Sequence, residues 1–156
     1  DLFIGKEIIH NEKIAVVSTN NQTYILDVEN GRINFKKNFT STVRPLISGN
    51  NLFLITKNNL LISLNLITGD EIYSHDINDR IANFLKIKKK NVKFKSLILA
   101  NNKLMAFLEN SYILIFNING TLERVQKLPT KINSFPIVAN ESLIYLDVQN
   151  KASIIN

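Results

Sequence analysis

A repeat of about 38 residues is the feature that most restricts what this chain can fold into. Gly31 and Gly69 lie 38 residues apart, and STNNQTYILDVENGRINF aligns without a gap over TKNNLLISLNLITGDEIY. The pattern returns around Gly120 as FLENSYILIFNINGTLERV. A second pattern, RPLISGNNLFLI, returns as KSLILANNKLMAF and again as FPIVANESLIYL. Because each copy must present the same apolar surface to its neighbour, the repeat predicts a series of similar modules that stack on one another.

Each module is predicted to contain four short strands and almost no helix. In the second module the predicted strands are Pro45–Ser48, Leu52–Thr56, Leu60–Leu66 and Glu71–Asp76. The third strand alternates between apolar and other residues, which is typical of a half-buried strand. Asn30-Gly31 and Asn119-Gly120 predict tight type I′ hairpin turns between the third and fourth strands, since these residues tolerate positive φ.

Four antiparallel strands repeated at this spacing predict an all-β fold, namely a β-propeller with one module per blade. About four blades are present, so the chain is predicted to be a partial propeller and the C-terminal half of a larger one. A self-contained four-bladed ring is the alternative. The fourth blade is expected to lack its fourth strand. The predicted divisions are blade one at about 1–39, blade two at about 43–77, an insertion at about 78–93, blade three at about 94–128 and an incomplete blade four at about 133–156.

Composition excludes several classes of chemistry. The apolar runs are far shorter than the roughly 20 residues that cross a bilayer, and the absence of cysteine excludes disulfides and thiolate catalysis. His10 and His75 fall in different blades, so we expect them to occupy surface or edge positions rather than to act as metal ligands. Ser18, Ser63 and Ser111 have no general base at a recognisable spacing. We therefore predict no enzyme activity, no cofactor and no metal site.

A recurring Asp or Asn ends the third strand of each module. Asp27, Asn65 and Asn117 hold this place, and Asn156 is a further candidate. Because the position recurs in every repeat, the expected role is to cap the following turn by accepting backbone N–H bonds.

The insertion is the one segment that departs from the repeat, and it carries much of the net charge of +6. Insertions into propellers form loops on one face, where partners usually bind. The segment RIANFLKIKKK predicts a short amphipathic turn with Ile81, Phe84, Leu85 and Ile87 on its apolar side. Either a protein partner or an anionic membrane surface would suit it, and a solvated loop is the alternative. Charge alone is weak support for nucleic acid, which we do not expect as a partner. The candidate partner-binding residues are Arg80, Phe84, Leu85, Lys86, Lys88, Lys89 and Lys90.

The module LDVENGRINF resembles the blade signature of the quinoprotein-type (PQQ-like) repeats, Leu-Asp-x-x-x-Gly-x-x-x-Trp. The matching positions are Leu26, Asp27, Gly31 and Phe35 in the first module, and Leu64, Asn65, Gly69 and Tyr73 in the second. The chain departs from the signature because it has no Trp, and Arg124 stands at the Trp position of the third module.

Two branches share these repeats, and the chain is more similar to the scaffold branch of BamB-type lipoproteins than to the quinone-dependent dehydrogenases. That resemblance implies a non-enzymatic interaction protein in outer-membrane β-barrel assembly, with assembly subunits as partners. It also implies a periplasmic location and outer-membrane association through an N-terminal lipid anchor absent from this chain. The alternative is a fragment of a PQQ-dependent dehydrogenase whose cofactor site lies outside these residues.

Overall fold

The structure is a computed structural model that describes residues 8–10, 13–19, 21–140 and 142–155. Within these ranges the chain forms fifteen strands and one helix. They are β1 (Ile8–His10), β2 (Ile14–Ser18), β3 (Thr23–Asp27), β4 (Ile33–Lys37), β5 (Leu46–Ser48), β6 (Asn51–Ile55), β7 (Leu60–Asn65), β8 (Glu71–Asp76), α1 (Ile77–Leu85), β9 (Phe94–Ala100), β10 (Lys103–Leu108), β11 (Tyr112–Asn117), β12 (Leu122–Lys127), β13 (Ile137–Ala139), β14 (Ser142–Leu146) and β15 (Ala152–Ile155).

The strands form four separate antiparallel sheets in chain order. The first three sheets have four strands each, β1–β4, β5–β8 and β9–β12, and the fourth contains β13–β15. Neighbouring strands in the sheet are also neighbours in the chain, so each sheet is a simple meander. This arrangement confirms the predicted all-β fold of four-stranded antiparallel modules, about four of which are present. The described part of the fourth sheet has three strands, in line with the expected incomplete blade.

The chain divides into two compact units, Asp1–Arg80 and Ile81–Asn156. The first unit contains the first and second sheets, and the second unit contains the third and fourth. In the second sheet, β8 begins and ends where the sequence predicts, and the other three strands differ from their predicted bounds by one residue at one or both ends.

The core of the first unit lies between its two sheets. Val16 and Ile25 of the first sheet pack with an aliphatic face of the second sheet, and every one of these side chains is at most 2% exposed. The second-sheet members are Leu52, Leu54, Ile62, Leu64 and Leu66. Each fully buried aliphatic side chain contributes roughly 1.5–3 kcal/mol, so this contact stabilises the packing of the two sheets.

Phe35 completes this core from the fourth strand of the first sheet, at the position where the repeat signature has Trp. Its ring lies against Gly69 in the turn of the second sheet. A Cβ atom at residue 69 would stand 2.7 Å from Phe35 Cε1 and 2.8 Å from Cγ. Glycine is therefore required at position 69 for two reasons, because the residue also has φ of +75°.

The second unit has an equivalent core between the third and fourth sheets. Phe107 and Ile113 pack with Leu143 and Tyr145, and all four side chains are at most 8% exposed. The Tyr145 hydroxyl stays hydrogen-bonded inside this core, since it lies 3.0 Å from Thr130 Oγ1. The same mode of packing thus recurs in both units, as the repeat predicts.

Capping of the turns after the third strands is confirmed for two of the predicted residues. Asp27 Oδ1 accepts hydrogen bonds from the amides of Glu29 at 2.9 Å and Asn30 at 3.1 Å. Asn65 Oδ1 does the same for the amides of Ile67 at 2.8 Å and Thr68 at 3.3 Å.

In the third sheet, Asn117 Oδ1 instead accepts from Lys103 Nζ at 2.5 Å, and Asn119 Oδ1 caps the Thr121 amide at 3.1 Å. The prediction was therefore wrong for Asn117, and Asn156 lies outside the described residues.

The type I′ prediction for these turns was wrong. Gly31 and Gly120 have positive φ, at 71° and 82°, but Asn30 and Asn119 do not. The Gly31 amide donates to Asp27 O, which closes a longer loop than a two-residue hairpin. The cap at Asp27 holds the residues before Gly31 in a right-handed turn, so only the glycine enters the left-handed region.

The gapless alignment of the first two modules was also wrong by one residue. The Thr19 amide donates to Gln22 O, whereas the Thr56 amide donates to Leu60 O, so the first turn is one residue shorter. As a consequence, Val16 corresponds in the structure to Phe53 rather than to Leu54.

Candidate partner-binding surface

Helix α1 begins directly after the last strand of the second sheet. Asp76 is its N-cap, because its Oδ1 accepts from the Asp79 amide at 3.2 Å. The Ile77 amide donates to Asn59 O at 2.9 Å, which ties the first turn to the loop between β6 and β7. Asn59 Nδ2 also donates to Asn78 Oδ1 at 3.3 Å, and both side chains are buried. The start of the helix is thus fixed on the second sheet.

Arg80 is held against the second sheet as well. Its Nη2 lies 3.0 Å from His75 Nδ1. Because a guanidinium can only donate, Nδ1 is the acceptor of this hydrogen bond. The His75 ring stacks on Tyr73 with centroids 5.0 Å apart and planes 9° apart, and burial raises the pKa of the Tyr73 phenol to about 12. Arg80 is therefore engaged with β8 through His75.

The helix ends at Leu85 with a Schellman-type turn. The Ile87 amide donates back to Ala82 O at 3.0 Å, and Lys86 takes a left-handed conformation with φ of 53°. The segment after the helix therefore leaves in a defined direction, although a lysine occupies the place where glycine is preferred. The sequence predicts an amphipathic turn from Arg80 onward, and in the structure the helix begins three residues earlier, at Ile77.

The predicted apolar residues divide into one buried and three exposed side chains. Ile81 is 9% exposed, whereas Phe84 is 46%, Leu85 43% and Ile87 50% exposed. Every residue from 83 to 91 is exposed, including Lys86, Lys88, Lys89 and Lys90. We call residues 83–91 the basic segment. It combines three solvent-facing apolar side chains with four cations and has no acidic residue, a composition suited to binding rather than to packing within one sheet.

The basic segment leaves the second sheet at one edge, and the turn between the second and third strands of that sheet lies at the same edge. We call this side of each sheet the loop edge. In the first unit, a cleft of about 470 Å³ lies at this edge, and its lining combines polar and apolar side chains. The lining residues are Asn21, Asn38, Phe39, Thr40, Thr56, Lys57, Asn58, Leu60 and Ile62. The second unit has a cleft of about 390 Å³ at the equivalent place, lined by Phe94, Lys95, Glu109, Lys131, Ile132 and Val148.

The loop edge is stabilised by a cap that sequence reasoning missed. After each of three second strands, a side chain accepts a backbone N–H from the end of the turn. Thr19 Oγ1 accepts from the Gln22 amide at 3.1 Å, Thr56 Oγ1 from the Leu60 amide at 3.1 Å, and Asp147 Oδ1 from the Lys151 amide at 2.9 Å. A hydroxyl or carboxylate at the same place in each repeat was the available signal.

The other residues considered for chemistry lie apart from the basic segment. The Ser18 hydroxyl lies 3.0 Å from Thr23 Oγ1, Ser63 is buried, and Ser111 occupies a turn with φ of 68°. The His10 side chain lies outside the described part of the structure. Within the part that is described, no three His, Cys, Asp or Glu side chains are placed to hold a metal ion. No helix in that part is long and apolar enough to cross a membrane.

Comparison with known proteins gives the fold class. No protein-family model matches the chain, and no curated protein matches it by sequence. Among solved structures, 94% of the chain is similar to BamB from Moraxella catarrhalis, with a TM-score of 0.73 and 11% identity. The computationally designed Ika4 protein has a TM-score of 0.71 over 99% of the chain at 11% identity, and the designed Ika8 protein 0.67 over 94% at 12% identity.

The chain spans 41% of the BamB chain and 44% of the Ika8 chain, but 92% of the Ika4 chain. At this low identity the similarity concerns the fold alone. Together with the four antiparallel sheets, it assigns a β-propeller-like fold to the chain, in a partial form relative to BamB.

Proposed function

We propose that the chain is part of a non-enzymatic scaffold that binds protein partners in outer-membrane β-barrel assembly. The observation that carries this proposal is the basic segment, where Phe84, Leu85 and Ile87 are 43–50% exposed between lysines. Exposed aromatic and aliphatic side chains in such a setting contribute most binding free energy when a partner covers them. The lysines would steer an acidic partner toward the site. The structural similarity to BamB supports the choice of pathway, and the PQQ-like repeat signature agrees with it.

The proposal includes a periplasmic location, with outer-membrane association through a lipid anchor outside this chain. It also makes the loop edge of the second sheet, from which the basic segment departs, the docking side of that sheet. The helix start is fixed by Asp76, Asn59 and Arg80, so the basic segment would be presented from a rigid base. Presentation from a rigid base lowers the ordering cost of binding.

The test is retention of purified barrel-assembly subunits on the immobilised chain. Replacing Phe84, Leu85 and Ile87 together by Ser is expected to abolish retention, because the apolar contact is lost while the fold is unaffected. The matched control replaces Val28, Ile67 and Ile72 by Ser, which are 46%, 63% and 51% exposed but lie outside the basic segment. Far-UV circular dichroism verifies that both variants fold.

Two results would overturn the proposal. One is that no subunit binds the unmodified chain, and the other is that the control variant loses binding as much as the test variant. Reconstitution with quinone and calcium addresses the dehydrogenase alternative, since dye reduction by the reconstituted protein would contradict a non-enzymatic role.

A further inference from the structure

The cleft at the loop edge of the first unit carries chemistry that the proposed function does not use. We call it the asparagine cleft, because the side chains of Asn21, Asn38 and Asn58 line it. Its volume of about 470 Å³ lies within the range of roughly 300–1,000 Å³ that is usual for ligand sites. All three asparagines are exposed, and within the described part of the chain none of their side-chain amides is hydrogen-bonded. These amides are therefore available to a ligand.

The two threonines of the cleft have a different role, because their hydroxyl groups are already used by the fold. Thr40 Oγ1 donates to Thr19 O, and Thr56 Oγ1 accepts from the Leu60 amide at 3.1 Å. Both hydroxyls hold the backbone that forms the wall of the cleft. Recognition of a ligand thus falls mainly to the asparagines.

The floor of the asparagine cleft is apolar and fixed. Phe39 and Leu60 pack against the core of the first unit, and Ile62 is only 2% exposed. The backbone at Phe39 is also held, since the Thr23 hydroxyl donates to Phe39 O at 2.8 Å. Because these contacts exist before a ligand arrives, binding pays little for ordering the floor.

The repeat does not impose the three asparagines. The second unit has a cleft of about 390 Å³ at the equivalent place, and its described lining residues include neither asparagine nor threonine. Its polar groups are instead the charged side chains of Lys95, Glu109 and Lys131. Since the fold forms a cleft here without amides, the asparagines of the first unit are not a requirement of the fold.

The chemistry of the asparagine cleft matches an extended peptide. An Asn side chain carries an NH₂ donor and a C=O acceptor, which complement the C=O and N–H of a peptide unit. Successive side chains of an extended chain point to opposite sides, so every second one can face the apolar floor. Among the described lining residues only Lys57 is charged, which favours acidic residues at the other positions. Because Phe39 packs against the core, its ring forms part of the floor rather than an open platform for a sugar ring.

We propose that the asparagine cleft binds an extended acidic peptide segment through the backbone of that segment. The side-chain amides of Asn21, Asn38 and Asn58 pair with its peptide units, its apolar residues lie on the floor, and Lys57 attracts its carboxylates. The proposal goes beyond the proposed function and does not depend on it, because the basic segment contributes no lining residue to this cleft.

An NMR titration of the isotope-labelled 156-residue chain tests the proposal. The probe is a blocked octapeptide of alternating Val and Asp. We expect saturable shifts of the side-chain NH₂ signals of Asn21, Asn38 and Asn58. Asn38→Ala and Asn58→Ala together should weaken binding about 10- to 100-fold, since each lost hydrogen bond weakens it about 3- to 10-fold. The matched control combines Asn34→Ala and Asn110→Ala, which change exposed asparagines outside the cleft and should leave binding unchanged.

Two further probes test recognition of the peptide backbone without any change to the protein. The same octapeptide methylated at every second backbone nitrogen lacks those donors and should bind at least about 10-fold more weakly. Maltotetraose, which has no peptide unit, should cause no shift. The absence of saturable shifts with the unmodified octapeptide would overturn the proposal. So would equal affinity for the methylated octapeptide, full binding by the Asn38→Ala and Asn58→Ala variant, or saturation of the asparagine signals by maltotetraose.

Discussion

Gly69 offers a direct test of how the first two sheets pack. Gly69→Ala adds a Cβ atom that would stand 2.7 Å from Phe35 Cε1 and 2.8 Å from Cγ, so the ring has to leave its place. The change also forces alanine into φ of +75°, which costs about 1–2 kcal/mol. Displacing a packed ring adds about 1–3 kcal/mol. The expected loss in the free energy of unfolding is therefore about 2–5 kcal/mol, the sum of the two terms.

Gly31→Ala is the matched control. Gly31 occupies the same position in the first module, has φ of +71° and has no atom within 4 Å of the added Cβ. Its amide bonds to Asp27 O as the Gly69 amide bonds to Asn65 O. This variant should lose only the backbone term of about 1–2 kcal/mol.

Urea unfolding followed by circular dichroism measures the difference between the two variants. In a Phe35→Ala background, Gly69→Ala should cost no more than Gly31→Ala, because the ring that it displaces is gone. Equal losses for the two glycine variants in the presence of Phe35 would refute the packing of this ring against Gly69.

Three further changes have defined outcomes. Ser96→Ala should raise the free energy of unfolding by about 1 kcal/mol, because Ser96 Oγ is buried with no hydrogen-bond partner in the described structure; Ser18→Ala, which removes a bonded hydroxyl, should lower it in the same urea titration. Lys86→Gly should raise the melting temperature by relieving φ of 53° at the helix C-terminus, whereas Lys88→Gly should not. Lys103→Met should raise the pKa of the Glu123 carboxyl toward its ordinary value, measured by NMR titration, because the hydrogen bond from Lys103 is the main cause that lowers it. A lowered carboxyl pKa stabilises the folded chain at pH values above the ordinary carboxyl pKa, and this stabilisation is lost as the pH falls. Because the variant lacks that stabilisation, its free energy of unfolding should fall less on acidification.

The fold was predictable from the sequence to the level of strands and modules. Each module has to bury an apolar surface of the next, and any sequence with this repeat must meet that requirement. The apolar alternation in Leu60–Asn65 and the spacing of Gly31 and Gly69 both reflect it. Finer geometry was not predictable in the same way. Asn30-Gly31 is compatible with a two-residue hairpin or a longer turn, and the capping bonds of Asp27 decide for the longer one. Such bonds depend on three-dimensional positions that periodicity does not report.

The candidate surface was predictable in composition but not in arrangement. The pattern of Ile81, Phe84, Leu85 and Ile87 predicted an apolar side, yet only Ile81 is buried. Amphipathic spacing identifies which residues share a side, but not whether another element covers that side. Arg80 was grouped with the lysines by charge, and its bond to His75 depends on the position of β8. The placement of each residue therefore required the structure.

Hydrogen–deuterium exchange of the chain, with and without a barrel-assembly subunit, tests the central claim most directly. If the molecule is a scaffold that binds through the basic segment, amides of residues 83–91 should exchange more slowly in the complex. Amides in the turns that contain Gly31, Gly69 and Gly120 should be unchanged. Protection confined to those turns, with no change in residues 83–91, would contradict the account.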